Sequence, residues 1–201
     1  MSYEDFLDEL IASNKIDTLT NIQKRKLINV FNIFPYGKSV ILELNETIIF
    51  ESEPGQSKNE YIHHFLTKNN NGKDWYSENY LHLVNDLTTN LSNYDERFLI
   101  VRNDSDRICY SKHIPQRGKK PYHIIACKIL GNKIIAWTHF DAKQNYINSL
   151  IAEEKEMILL RGLITNEGNS LPVKDYAEYQ SLKRKTPLFL GSGVLSKLHK
   201  P

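Results

Sequence analysis

Cysteine is almost missing from this sequence: Cys109 and Cys127 are the only two in 201 residues. Two thiols cannot frame a disulfide scaffold or a zinc ribbon, so reduced side chains in a cytoplasmic protein are the expectation. Long apolar runs are missing too. No stretch approaches the roughly 18–20 residues that cross a bilayer, so no membrane partner is expected. The start, Met1-Ser2-Tyr3-Glu4-Asp5, is acidic and lacks the basic-then-apolar order of a signal peptide. Gly191-Ser192-Gly193 is not a phosphate loop, because the Walker spacing and its Lys-Ser/Thr ending are absent. There is no Gly-x-Ser-x-Gly elbow, and neither cysteine has the context of a nucleophile.

The most informative absence is of acid in two places. From Arg107 to Phe140 there is no Asp or Glu, while Arg107, Lys112, Arg117, Lys119, Lys120, Lys128 and Lys133 contribute +7. From Tyr179 to Pro201 there is again no acid and a charge of +5, so the other 144 residues carry −10 against a net +2. Such segregation predicts one positive and one negative face. A positive face attracts polyanions, nucleic acid being the commonest. The bland alternative is that the two faces neutralise one another inside the fold or across a homodimer.

Periodicity and capping residues predict helices over Tyr3–Ser13 (Ser2 as cap), Asn21–Phe34 (Thr20 and Gln23 as a capping box) and Lys58–Lys68 (Ser57 and Glu60). Tyr80, Val84, Leu87 and Leu91 mark another. Ser39–Leu44 and Thr47–Ser52 read as a hairpin, and the Asn69-Asn70-Asn71-Gly72 run as a loop. Strands follow at Arg97–Arg102 and Arg107–Lys112, then a hairpin of Tyr122–Leu130 and Lys133–Asp141 about the turn Gly131-Asn132. A long helix is expected at about Lys143–Arg161 and a shorter one at about Val173–Leu182. The fold class is therefore α+β: a central mixed or antiparallel sheet, with its strongest hairpin at 122–141, flanked by helices. No linker divides the chain, which reads as one domain over 1–201: a helical flank (1–95), a sheet-and-helix core (96–182) and a basic tail (183–201).

With a two-residue turn and uniform pairing, Ala126 faces Trp137, Ile124 faces His139 and Tyr122 faces Asp141. Side chains alternate with period two, so His123 and His139 are expected on opposite faces, which argues against a two-histidine ribonuclease pair. The apolar strand 134–140 ends in Asp141-Ala142-Lys143, with a helix expected next. This resembles the second half-motif of the P-D…(D/E)-x-K nucleases, the restriction-endonuclease-like fold. The resemblance implies that Asp141 binds Mg2+ or Mn2+ and that Lys143 lies beside the attacking water, with Asp106 the best candidate for a second metal ligand. Such a metal would activate water and offset charge on the phosphorane. On ordinary helix grammar, Asp141 instead caps the following helix with Lys143 in its first turn.

Other constellations are weaker. Glu60/His64 and Glu78/His82 are i, i+4 pairs, which are usually solvated helix faces. His139 with Asn145 or Asn148 would suit a ββα-metal arrangement only if the histidine ended the first strand. Trp75 and Trp137 read as core or interface residues. The loop 112–122 mixes cations with His113 and Tyr122, which can stack on an exposed base. The functional expectation is thus a nucleic-acid-binding protein, a metal-dependent nuclease if an enzyme. Lys112, Arg117, Lys119, Lys120, Tyr122 and Lys133 would hold the DNA or RNA. The alternative is a non-enzymatic inhibitor of the immunity or phage counter-defence type, gripping an acidic protein surface with the same cations.

Overall fold

The computed structural model describes residues 1–42, 47–101, 107–130, 133–143 and 156–159. They fall into two compact units, one of residues 1–39 and 49–89, the other of residues 40–48 and 90 onward. The chain is α+β.

In the first unit, three helices begin where side chains can satisfy their orphan amides. Helix α1 (Tyr3–Ala12), α2 (Asn21–Ile33) and α3 (Lys58–Leu66) each open with a complete capping box: Ser2 with Asp5, Thr20 with Gln23, and Ser57 with Glu60. Leu7, Leu27, Ile62 and Leu66 are fully buried. Phe34, Phe50, Tyr61 and Phe65 form an aromatic cluster with centroids 5.1–6.4 Å apart. The helix expected around Tyr80–Leu91 is interrupted at Asp86, giving α4 (Glu78–Asn85) and α5 (Leu87–Ser92).

Here lies the first correction. The Asn-rich run is a hairpin and not a loop: β3 (Lys68–Asn70) pairs antiparallel with β4 (Lys73–Trp75). Its turn residues Asn71 and Gly72 have φ of +52° and +83°. Positive φ at both central positions is the type I′ geometry that Asn-Gly favours, and its twist matches the strands.

The second unit is built on a seven-stranded sheet of order β1-β2-β8-β7-β6-β5-β9. The strands are β1 (Ser39–Ile41), β2 (Thr47–Ile49), β5 (Glu96–Val101), β6 (Arg107–His113), β7 (Tyr122–Leu130), β8 (Lys133–Ala142) and β9 (Glu156–Leu159). The run β9-β5-β6-β7-β8 is antiparallel throughout. Ile108, Tyr110, Ile124, Ile125, Cys127 and Ala136 are buried along it.

A second correction concerns β9. The helix expected to reach Arg161 does not hold at Glu156–Leu159, which pairs with β5 from Phe98↔Leu159 to Val101↔Glu156. A short apolar run such as Met157-Ile158-Leu159 fits either period, and the open edge of β5 decides in favour of a strand. Residues 144–155, the helix expected near Val173–Leu182 and the basic tail lie outside the described residues. No helix among the described residues is long and apolar enough to cross a membrane.

Candidate nucleic-acid interface and a buried histidine pair

The β7–β8 register starts as the turn dictates and then changes. Leu130↔Lys133 through Cys127↔Ala136 follow uniform pairing, but Ala126 lies opposite Thr138, leaving Trp137 as the extra residue of a β-bulge. One inserted residue reverses the facing of everything beyond it. His139 therefore stands opposite Ile125 and Asp141 opposite His123. The expectation of opposite faces is overturned: His123 and His139 share one face, with His123 Nε2 3.0 Å from His139 Nδ1. No local residue signals this, since the bulge falls at an ordinary Ala-Trp-Thr.

The pair is sealed, with His123 0% and His139 1% exposed. Asn90, near the end of α5, places Nδ2 2.8 Å from His123 Nδ1. An amide nitrogen only donates, so His123 Nδ1 accepts and its proton resides on Nε2. That proton goes to His139 Nδ1, so a neutral His139 carries its own on Nε2. Burial holds the His123 pKa well below the usual histidine value, and the fields of His139 and Arg117 push in the same direction. Rings bonded directly to one another and closed to solvent cannot bracket a phosphate as acid and base. Their effect is to fix the sheet at the point where β8 presents Asp141.

Asp141 is half-buried near the end of β8, and Lys120 Nζ lies 3.3 Å from its Oδ1. Lys143, one residue past the strand, is exposed. Asp106 lies outside the described residues, as do Asn145 and Asn148. Mg2+ or Mn2+ needs several oxygen ligands. Among the described residues no group of three or more His, Cys, Asp or Glu converges. Asp141 carries the Lys120 ammonium in this arrangement, and the second acid of the metal reading, Asp106, lies outside the described residues.

The cations lie at three places along the hairpin. At the open end of the hairpin, Ile114 N–H donates to Pro121 O (2.6 Å), closing a loop that contains a 3-10 turn at Pro115–Arg117 and Gly118 at φ +63°. Asp95 anchors its entrance: Oδ1 accepts from Lys112 Nζ (2.9 Å) and Oδ2 from the His113 amide (2.7 Å). Lys112 is therefore held by an acid from outside the acid-free stretch. His113 packs its ring on Tyr122, centroids 4.9 Å apart. Lys119 is exposed, and Arg117 and Lys120 are half-buried around the same loop. Lys133 stands at the other end of the hairpin, roughly 25 Å away at strand rise. Between them Arg107 and Lys128 are cross-strand partners, and the bulge residue Trp137 offers its ring to both, 4.2 and 4.4 Å from the centroid. The sequence reading missed Asn90, Asp95 and this cluster, since all depend on neighbours distant in the chain.

The helical pairs resolve into ordinary roles. Glu60 turns back to accept from the Ser57 amide (2.8 Å), and Glu78 pairs with Lys26, with His82 at 4.0 Å. His63, not His64, is the buried one. Cys109 and Cys127 are buried and are not joined in a disulfide. Trp75 is 38% exposed, with Lys68 5.5 Å from its ring centroid. No family model matches the chain, and comparisons with curated proteins and with solved structures yield no significant match.

Proposed function

We propose that this protein binds nucleic acid through the basic loop at the open end of the β7–β8 hairpin. Arg117, Lys119 and Lys120 contact phosphates, and the His113–Tyr122 ring pair receives a base. The observation that carries this reading is the concentration of three cations and two packed rings on one closed loop, within a stretch free of acid from Arg107 to Phe140. Phosphate contacts by such cations supply affinity, and a stacked ring supplies sequence-tolerant contact. Binding is favoured over metal-assisted hydrolysis because the Asp141 carboxylate is engaged by Lys120.

The test is fluorescence anisotropy with labelled single-stranded DNA, RNA and duplex DNA at low and moderate salt. Affinity falls steeply with salt, and Arg117→Ala or Lys119→Ala each reduces the slope of log K against log salt by about 1. Absence of binding to all three at low salt refutes the reading and leaves the acidic-protein partner in front. Incubation of the same nucleic acids with Mg2+, Mn2+ or EDTA separates binder from nuclease. Metal-dependent cutting lost in Asp141→Ala would restore the hydrolase.

A further inference from the structure

On the nucleic-acid reading above, on which this rests, we infer that the ligand is a single strand that runs from the basic loop along β8 to a second stacking platform at Trp137. That platform stands toward the turn end of the hairpin. Trp137, the extra residue of the bulge, is half-buried, with Arg107 Cζ 4.2 Å and Lys128 Nζ 4.4 Å from its ring centroid. A base stacked beside such a ring gains contact whatever its identity, and the flanking cations suit its phosphate.

The two platforms share one face of the sheet. Arg107 and His113 are six residues apart on β6, as Lys128 and Tyr122 are on β7, and the pairing of these strands is unbroken. An even spacing returns side chains to the same side, so the Trp137 cluster and the His113–Tyr122 ring pair lie about 20 Å apart on it. Between them on β6 and β7, Cys109, Ser111, Ile124 and Ala126 are buried, which leaves no route along those two strands. The strand β8 offers one. Beyond the bulge, Thr138 and Phe140 pair with Ala126 and Ile124, so they take the same face, and both reach solvent as half-buried residues. Lys133, exposed and paired with Leu130 on that face, continues the line past Trp137.

Charge along this line suits a polyanion. There is no Asp or Glu from Arg107 to Phe140, and the acid that follows, Asp141, pairs with His123, takes the opposite face and is held by Lys120. Glu96, cross-strand from Ser111 on the shared face, is buried. Phosphate contacts alone would not tell one strand from two. The rings do, because a base reaches Trp137, Phe140 or Tyr122 only when it is free of its duplex stack.

Trp75→Phe leaves Trp137 as the sole indole, so its emission reports on this platform. Titration of that full-length variant with labelled oligothymidylate at low salt should quench the emission in step with the rise in anisotropy. A duplex of equal phosphate count should bind more weakly and leave the emission unchanged. Trp137→Ala should weaken single-strand binding about tenfold and leave duplex binding as it was. Should Trp137→Ala fail to fold, the quenching in Trp75→Phe still decides, because that variant keeps the platform intact. Salt-sensitive binding without quenching, unchanged affinity in a folded Trp137→Ala, or preference for the duplex overturns the inference and leaves the loop reading standing. No binding of any nucleic acid at low salt overturns both.

Discussion

His123 is a buried imidazole held neutral, and this has a measurable cost in acid. Its folded-state pKa is depressed by burial, and further by His139 and Arg117, below the ordinary value of 6.5 that it regains on unfolding. Below that value the unfolded chain binds a proton that the folded chain refuses. Stability is therefore unaffected by this group above pH 6.5 and falls as pH drops through it. The slope is about 1.4 kcal/mol per pH unit for one such group, so about 1.4 kcal/mol is lost by pH 5.5. That is about a tenfold rise in the unfolded population. The carboxylates with lowered values, Asp74 and Glu60 among them, lose their contribution only at lower pH. Urea unfolding at half-unit steps from pH 7.5 to 5.5 measures the slope. His123→Gln, destabilised overall, should be flatter by that amount over the same window. A wild-type stability that is level or rising toward pH 5.5, or a slope unchanged in the variant, would refute a neutral Asn90–His123–His139 chain.

Two other substitutions probe the turn and the bulge. Gly72→Ala places a Cβ in open space but at φ +83°, so it should cost about 1–2 kcal/mol by backbone strain alone, seen as a lower urea midpoint with an unchanged m-value. Trp137→Ala removes the ring between Arg107 and Lys128; the lost cation–ring contacts predict about 1–2 kcal/mol of destabilisation, partly relieved by salt, which screens the facing cations. A loss that is insensitive to salt would mean that Trp137 acts by packing alone.

Capping and alternation are local physics, and for that reason they were legible. Ser2, Thr20 and Ser57 start their helices because a hydroxyl three residues before an amide can reach it whatever the rest of the chain does. The 122–141 hairpin and its first four pairs were equally readable, because a two-residue turn sets the register next to it. Asn71-Gly72 carried the same kind of signal, and it was the surrounding asparagines that disguised it as a loop.

What the sequence alone determined is the α+β class, the helix starts, the main hairpin and the acid-free basic segment, all of which follow from residues a few positions apart. The tertiary structure decided the rest. A bulge at Trp137 turned His139 onto the face of His123 and brought Asp141 opposite it. The free edge of β5 made a strand of Glu156–Leu159, and Asp95 and Lys120 reached across space to take Lys112 and Asp141 into ion pairs. Facing and pairing depend on partners tens of residues away, and one inserted residue inverts them, so they belong to the folded chain.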